Sequence, residues 1–204
     1  MKLFGYVQAG GGSTRFGRDK ALVELQGKTM LARTTELLWS VCEEVKIVAA
    51  NRKYSQSTVG IVEDRWPGEG PLGGILSALL ETRKIANEPM WSLIVSCDMP
   101  FLSCEFLGLL KEHAFGSGAS VVVPESENGL EPLCACWRSD AAAEVQTMFD
   151  AGVRKVSEAM KRLPMVVLDE GVWKRFDSDQ RLFWNMNTPA DFEEARRILD
   201  ERAR

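Results

Sequence analysis

The fold of this chain is decided around one stretch near its start, Gln8-Ala9-Gly10-Gly11-Gly12-Ser13-Thr14-Arg15-Phe16-Gly17-Arg18-Asp19-Lys20. It follows a short apolar run at residues 3–7, which predicts a first β-strand. Successive glycines after a strand leave the backbone free to turn several N–H groups toward one point, and such groups bind anions. Arg15, Arg18 and Lys20 add positive charge beside that point. We therefore expect this loop to bind a triphosphate.

Two common phosphate-binding loops do not match this stretch. The P-loop requires a glycine followed directly by Lys and Ser or Thr, whereas Gly17 is followed by Arg18 and Asp19. The dinucleotide fingerprint requires a third glycine three places after its second, and that place holds Arg15. From glycine and charge content alone, a surface loop with solvated charges stays open as the alternative.

The composition is that of an ordinary globular protein. The chain has 204 residues, of which 45% are apolar and 26% charged, enough for a sizeable core in one large α/β domain or two small ones. Because no linker, repeat or low-complexity segment interrupts it, one domain is the simplest prediction. The net charge of −4 disfavours a general nucleic-acid or membrane surface. The basic residues of the glycine loop are therefore a local feature of a mildly acidic protein.

Cysteine content indicates a reducing environment. The cysteines are Cys42, Cys97, Cys104, Cys134 and Cys136. Their odd number and the absence of a Cys-x-x-Cys pair argue against a disulfide framework and a zinc ribbon. We expect all of them to be reduced and mostly buried, which predicts a cytoplasmic protein. The segment before the glycines is too short for a signal peptide, and no apolar run approaches the roughly 20 residues of a membrane span.

Strand and helix patterns alternate along the first part of the chain. After the first strand, the apolar pattern predicts strands at residues 45–50, 59–62, 91–96 and 119–124, and helices at residues 30–41, 75–84 and 104–113. This alternation is typical of a three-layer α/β/α Rossmann-like fold with a mostly parallel central sheet. Farther along, we predict strands at 133–137 and 165–168, helices at 141–149 and 153–163, and a terminal helix that begins at Pro189 with Thr188 as its N-cap.

Polar residues follow several of the predicted strands. In open parallel sheets, ligands bind outside the carboxyl ends of the strands, and these ends carry the glycine loop, Asn51, Asp64 and Asp98. A carboxylate directly after a buried strand is costly unless it is paired or bound to a metal, and Mg²⁺ suits one or two carboxylates with substrate phosphates. The alternatives that stay open are a turn-capping role for Asp98 and for Asp64.

The histidine content bears on the reaction class. His113 is the only histidine, and it falls within the helix predicted after Asp98. A hydrolase built on a Ser-His-Asp triad is therefore disfavoured. Phosphoryl-type transfer to an anionic oxygen needs no general base and depends on positioning and charge neutralisation.

These motifs together resemble the molybdenum cofactor guanylyltransferases, the MobA-like nucleotidyltransferase family. The family signature reads Leu-Ala-Gly-Gly-x-Ser-x-Arg-Met-Gly-x-Asp-Lys where this chain has residues 8–20. Four further segments match in order, namely Glu63-Asp64, Gly70-Pro71-Leu72-Gly73-Gly74, Cys97-Asp98-Met99-Pro100 and Asn185-Met186-Asn187-Thr188-Pro189. Glu131-Pro132-Leu133 resembles the Pro-Leu start of a strand in the family. Gln8 replaces the usual aliphatic residue, and Phe16 replaces the usual Met.

The resemblance implies an enzyme that joins GMP from GTP to molybdopterin-bound molybdenum and releases pyrophosphate, with Mg²⁺ as cofactor. It implies a single nucleotidyltransferase domain over residues 1–204, with a nucleotide-binding half at 1–124 and an acceptor-binding half at 125–204. The implied nucleotide-binding residues are Gln8, Ala9, Gly10, Gly11, Ser13, Arg15, Lys20, Asn51, Asp64 and Asp98. The implied catalytic residues are Arg15, Lys20 and Asp98, the metal ligand is Asp98, and the acceptor-binding residues are Asn185 and Asn187.

Other readings of the same motifs stay open. Cytidylyl relatives tend to read Ala-Ala-Gly where this chain has Ala9-Gly10-Gly11, which favours guanine over cytosine. A sugar-phosphate or isoprenoid-phosphate nucleotidyltransferase would use the same chemistry on another acceptor. A nucleotide-binding regulator without catalysis would not need Lys20 and Asp98. Beyond GTP and the molybdenum cofactor, molybdoenzymes and cofactor-assembly proteins are the partners to test.

Overall fold

The computed structural model describes residues 1–10, 19–50, 54, 57–85 and 88–202. Its strands are β1 Leu3–Gln8, β2 Glu24–Leu25, β3 Lys28–Thr29, β4 Glu44–Ala49, β5 Gly60–Glu63, β6 Trp91–Ser96, β7 Val121–Ser126, β8 Gly129–Leu130, β9 Cys134–Arg138 and β10 Met165–Leu168. Its helices are α1 Met30–Trp39, α2 Pro71–Ile85, α3 Cys104–Gly116, α4 Ala142–Asp150, α5 Val156–Met160, α6 Glu170–Trp173 and α7 Pro189–Arg202.

A mostly parallel sheet forms the centre of the molecule. Its strand order is β10-β7-β9-β6-β1-β4-β5, with β8 added to β7 as a short hairpin. β6, β1, β4 and β5 are mutually parallel neighbours, whereas β9 runs antiparallel to both β6 and β7. The predicted fold class is confirmed, and the carboxyl ends of β6, β1, β4 and β5 meet at one edge of the sheet.

Side chains on the two faces of the sheet form two separate cores. On β1, Leu3 and Val7 belong to one core and Phe4 and Tyr6 to the other, as the twofold alternation of a strand requires. The first core contains apolar residues of α1 and α3, and the second contains those of α2 and α4. Helices therefore cover both faces of the central strands, which gives the three layers and explains why β6 is an almost continuous apolar run.

Helix α2 begins earlier than the pattern predicts. It starts at Pro71, whereas apolar periodicity places its start at residue 75. Proline suits the first helical position because no intrahelical partner is needed for its missing N–H. Glycines in the first turn allow close packing: a Cβ on Gly73 would lie 3.1 Å from Cβ of Trp66. Residues 71–74 are therefore the packed first turn of α2 and not part of a loop.

The helix predicted at residues 153–163 is shorter in the structure. Gly152 has a φ of 90°, and the Val153 N–H donates to the carbonyl of Met148 at 3.0 Å. These two features close α4, so the next helix, α5, begins only at Val156. A positive φ of this kind is typical of a glycine just after a helix, and it could have been predicted from Gly152.

Cysteine burial follows the prediction. All of the cysteines are unpaired, with Cys104 exposed and Cys42, Cys97, Cys134 and Cys136 buried. In the described part of the chain, we find no helix with the length and apolarity needed to cross a membrane.

Candidate active site

Asp98 follows β6 and is held in place by its own strand. The Ser96 hydroxyl donates to Oδ1 of Asp98 at 2.6 Å, and the Asp98 carbonyl accepts the Met186 N–H at 2.8 Å. The Asp98 side chain keeps 19% of its surface exposed. One carboxylate oxygen is therefore fixed by Ser96, while Oδ2 faces the site.

Lys20 lies opposite this carboxylate. Its Nζ donates to Oδ1 of Asn187 at 2.7 Å and lies 3.7 Å from Oδ2 of Asp98. Because the side chain is 18% exposed, the ammonium is neither free in solvent nor deeply buried. Three motifs that are far apart in the sequence, at residues 20, 98 and 187, thus meet at the carboxyl edge of the sheet.

The start of the short 3₁₀ turn Lys20–Leu22 orients this lysine. Oδ1 of Asp19 accepts the Ala21 N–H at 3.1 Å, and Oδ2 accepts the Tyr54 hydroxyl at 2.9 Å. Burial and the bond to Asp19 raise the pKa of Tyr54, so its hydroxyl stays a donor. The sequence pattern did not single out Tyr54, because nothing in its spacing links it to Asp19.

The segment before α7 fixes Asn187. Oδ2 of Asp191 accepts the N–H groups of both Asn187 and Thr188 at 2.7 Å, and the Thr188 hydroxyl accepts the Asp191 N–H at 3.2 Å. This reciprocal capping pattern confirms Thr188 as the N-cap. Burial works in the opposite direction, but the two backbone hydrogen bonds and the Lys20 charge lower the pKa of Asp191. Asp191 thereby orients the residue that holds Lys20.

Gln8 ends β1 beside the first turn of α2. Its Nε2 donates to the Pro71 carbonyl at 3.0 Å, whereas Oε1 is buried and has no hydrogen-bond partner in the described residues. Ala9 is buried and donates its N–H to the Val48 carbonyl at 3.0 Å. Gly10 is exposed, and no described atom lies within 4 Å of the position that a Cβ would take. The backbone thus leaves the sheet at Gly10 without contact to other described parts of the chain at that Cβ position.

Asp64 lies at the same edge but at a distance from Asp98. Its N–H donates to the Ala49 carbonyl at 2.9 Å, and its Oδ1 accepts the Trp66 N–H at 3.0 Å. Asp64 therefore caps the turn that follows β5, and it also lines a cavity of about 510 Å³. Because β5 and β6 are separated by β4 and β1, the two carboxylates stand roughly 14 Å apart and do not share a metal.

Asn185 lies in a second cavity beside Asn187. Its Nδ2 donates to the Phe183 carbonyl at 3.0 Å. Both asparagines line a cavity of about 410 Å³. Its wall also contains Ser126 and Asn128 from the β7–β8 turn, which sequence reasoning missed, although Asn128-Gly129 is a recognisable hairpin signal.

Several predicted site residues cannot be placed. Gly11, Ser13, Arg15 and Asn51 lie outside the described residues. Where the chain is described, no cluster of three or more His, Cys, Asp or Glu side chains could hold a metal. A single carboxylate such as Asp98 still suits Mg²⁺, which takes one or two carboxylates and completes its shell with water and substrate phosphates.

The sheet topology, with Lys20 and Asp98 at its carboxyl edge, defines a Rossmann-like nucleotidyltransferase fold. The family model described as the MobA-like NTP transferase domain matches residues 5–164, and the chain belongs to this family. The resemblance derived from the sequence motifs is thereby confirmed.

Individual relatives match nearly end to end. A probable molybdenum cofactor guanylyltransferase from Chloroflexus aggregans is 33% identical over 94% of this chain and 92% of its own length. A molybdenum cofactor guanylyltransferase from Desulfosudis oleivorans is 30% identical over 94% of this chain and 93% of its own length. The crystal structure of molybdopterin-guanine dinucleotide biosynthesis protein A from Archaeoglobus fulgidus superposes with a TM-score of 0.83 at 27% identity, covering 97% of this chain and 99% of that one.

Proposed function

We propose that this protein transfers GMP from GTP to molybdopterin-bound molybdenum cofactor, forming the guanine dinucleotide cofactor and pyrophosphate. The observation that carries the proposal is the meeting of Lys20, Asp98 and Asn187 at the carboxyl edge of the sheet. It is supported by relatives, matched over more than nine-tenths of both chains, that are named molybdenum cofactor guanylyltransferases.

In the proposed reaction, a phosphate oxygen of the acceptor attacks the α-phosphorus of GTP. A bond forms between that oxygen and the α-phosphorus, the bond from the α-phosphorus to the bridging oxygen breaks, and pyrophosphate leaves with the electron pair. Because the acceptor oxygen is already anionic, no side chain has to remove a proton. Lys20, together with Arg15, would stabilise negative charge on the triphosphate as the leaving group departs.

Asp98 would hold Mg²⁺. Its Oδ1 accepts the Ser96 hydroxyl, and its Oδ2 lies 3.7 Å from Nζ of Lys20. One anionic oxygen that faces a triphosphate site suits an ion that keeps most of its shell for water and phosphate. When bound, the ion would supply charge neutralisation on the phosphates.

The remaining roles follow the division into a nucleotide-binding half and an acceptor-binding half. Gln8, Ala9, Gly10, Gly11, Ser13, Asn51 and Asp64 would line the nucleotide site, in the half formed by residues 1–124. Asn185 would contact the acceptor, because it lines the 410 Å³ cavity next to the reacting groups. Asn187 would lie between the nucleotide site and the acceptor site, since the same side chain lines that cavity and holds Lys20. A cytoplasmic location is proposed from the unpaired cysteines.

The proposal is tested by incubating the purified protein with Mg²⁺, molybdenum-loaded molybdopterin and either GTP or CTP, and measuring pyrophosphate and the dinucleotide product. We expect product from GTP that requires both molybdopterin and Mg²⁺. Pyrophosphate release from CTP but not from GTP would contradict the guanylyl assignment. GTP binding without transfer would instead indicate a regulator that has kept the fold and lost the chemistry.

A further inference from the structure

Trp184 is a half-buried tryptophan on the wall of the 410 Å³ cavity that Asn187 also lines. Its indole N–H makes no hydrogen bond to any described residue. By contrast, Trp173 on the same wall donates its indole N–H to the Glu125 carbonyl at 3.2 Å. A cavity of this size is in the range of small-molecule sites, and a tryptophan with an unused donor on its wall suits a planar ligand with polar edges.

One face of the Trp184 indole is covered by the protein itself. The indole stacks on Phe101, with ring centroids 5.6 Å apart and an angle of 25° between the ring planes. Phe101 is buried, and the Arg202 guanidinium lies over its ring while also pairing with Asp179. This stack holds the indole against the loop that begins at Asp98. The face of the indole that Phe101 does not cover is therefore the one available to a ligand in the cavity.

A residue in an unfavourable backbone conformation shapes the same cavity. Gln180 lines it and has a φ of 58°, in the left-handed region that a residue with a Cβ disfavours. Asp177 holds this turn, because its Oδ1 accepts the N–H groups of Arg181 at 2.7 Å and of Leu182 at 2.9 Å. Such strain persists only where the surrounding structure enforces it, and it is typical of binding sites. This wall of the cavity is therefore fixed before any ligand binds.

The charges on the cavity wall indicate which part of an acceptor fits there. The charged side chains among the described lining residues are the carboxylates of Glu127, Glu170 and Asp177, with no Lys, Arg or His. These carboxylates would repel a phosphate, whereas they would attract a neutral ring that carries N–H donors. The cation that suits a phosphate is Lys20, whose Nζ donates to Oδ1 of Asn187 at 2.7 Å.

We propose that Trp184 is a specificity-determining residue of the acceptor site, whose uncovered face stacks on the planar pyrimidinone ring of the pterin. The inference rests on the proposed function and adds to it the group that binds the ring. The acceptor then lies with its ring in the cavity and its phosphate toward Lys20, with Asn187 between the two. A sugar-phosphate or isoprenoid-phosphate acceptor has no planar ring to place against the indole, so this contact favours a pterin.

The test compares Trp184→Leu with the wild type in two measurements. The first is the dissociation constant of the fluorescent pterin 2-amino-4-hydroxypteridine, and the second is KM for molybdopterin in GMP transfer. Leucine keeps an apolar side chain beside Phe101 and removes the ring. We expect both quantities to rise about 5- to 100-fold, with the GTP affinity from isothermal titration unchanged.

The matched control is Trp39→Leu, which removes an exposed tryptophan on α1 and should change none of these quantities. Equal pterin affinity and equal KM in the wild type and Trp184→Leu would overturn the proposal. A loss of GTP affinity as large as the loss of pterin affinity would also overturn it.

A second variant separates stacking from a structural role. Trp184→Phe keeps an aromatic ring on Phe101, so it should retain most of the pterin affinity that Trp184→Leu loses. Equal losses in the two variants would contradict stacking. Thermal unfolding checks that each variant is folded. If Trp184→Leu does not fold, quenching of tryptophan emission by bound pterin decides, because it should be weaker in Trp184→Phe than in the wild type. Undiminished quenching would overturn the contact.

These measurements separate the inference from the proposed function. A wild type that binds pterin through Trp184 but transfers no GMP would refute the function and support the inference. Normal GMP transfer with an unchanged KM for molybdopterin in Trp184→Leu would refute only the inference. A wild type that neither binds pterin nor transfers GMP would refute both.

Discussion

Within the described residues, Asp98 accepts a side-chain hydrogen bond through one of its two carboxylate oxygens. Ser96 satisfies Oδ1 at 2.6 Å, and the Lys20 ammonium is 3.7 Å from Oδ2, longer than a good charge-assisted hydrogen bond. The lysine takes its close contact from Asn187 instead, at 2.7 Å. The two opposite charges therefore lie near each other without a direct hydrogen bond, an arrangement that suits the proposed roles of Asp98 toward Mg²⁺ and of Lys20 toward a phosphate.

Replacement of Asp98 by Asn tests the proposed metal role. The amide keeps the shape of the side chain and an oxygen for Ser96, but it removes the charge that would hold Mg²⁺. We expect kcat/KM for GMP transfer to fall about 100-fold or more, with little change in Tm. Steady-state pyrophosphate release across a Mg²⁺ titration measures the effect. Asp140→Asn, which changes a carboxylate paired with Arg138 on the surface, is the control. Wild-type activity in Asp98→Asn would rule out the role.

For individual residues, the sequence indicates the charged side chains of the candidate site more readily than the neutral side chains that orient them. Asp98 is recognisable because it is a carboxylate directly after a buried strand, and Lys20 because it is a cation at the end of the glycine loop. Ser96 and Tyr54 are not, because a hydroxyl contact depends on rotamers and on the approach of distant segments. For Gln8, the sequence shows an unusual residue, but the position of its amide appears only once Pro71 and Gly74 are in place.

Among the elements, the start of α7 has the clearest link between capping and chemistry. Asp191 accepts the N–H groups of Asn187 and Thr188, and Asn187 holds Lys20. The N-terminus of α7 therefore holds the Lys20 side chain in position through Asn187. An acidic residue in the first turn of a helix also gains from the helix dipole.

The stability contributed by this cap should depend on pH. The pKa of Asp191 is lowered in the folded protein, so its carboxylate stabilises the fold above the ordinary pKa of an aspartate and loses that effect as the pH falls through the folded pKa. At neutral pH, Asp191→Asn should therefore be less stable than the wild type by about 0.3 to 1 kcal/mol at low ionic strength. The difference should shrink as the pH falls below about 4.

Chemical denaturation at a series of pH values measures this difference. Asp200→Asn makes the same change in the last turn of α7, where a negative charge is unfavourable, and should not destabilise the protein. A gap between Asp191→Asn and the wild type that stays constant from neutral to acid pH would contradict the assignment of the cap.

Element types are predicted well and element boundaries less so. The spacing of apolar residues finds β6, β10 and the starts of α1 and α3 at the residues where the structure has them. It misses the first turn of α2, because the glycines there serve packing against Trp66 and Gln8 and carry no apolar periodicity. Helix propensity alone disfavours such a turn, and tertiary packing overrides it.

Across the whole molecule, strand order and direction are the features that the sequence leaves most open. β9 runs antiparallel inside an otherwise parallel region, and the short connection at residues 127–133 requires this, since a parallel crossover needs a dozen or more residues. The neighbours of β1 depend on long-range pairing that no local pattern encodes. The convergence of strand ends at one edge was nevertheless predictable, because it follows from the parallel direction of β6, β1, β4 and β5.

The distribution of the cysteines gives a test of the whole fold. Cys104 is exposed at the start of α3, whereas Cys42, Cys97, Cys134 and Cys136 lie within the cores, and burial raises the pKa of Cys42 and of Cys97 to about 12. A thiol reagent at about pH 8 should therefore label one cysteine rapidly in the native protein and all of them in denaturant.

Cys104→Ser should leave no rapidly labelled thiol, and mass spectrometry of the labelled peptides identifies the residue. Rapid native labelling of Cys134 or Cys136, the two fully buried thiols of β9, would contradict the strand order around β6 and β7. Cys97 adds a functional readout, because it lies between Ser96 and Asp98 and reacts only when the end of β6 opens. If nucleotide binds at this edge, Mg²⁺ with GTP should slow the labelling of Cys97 while leaving that of Cys104 unchanged.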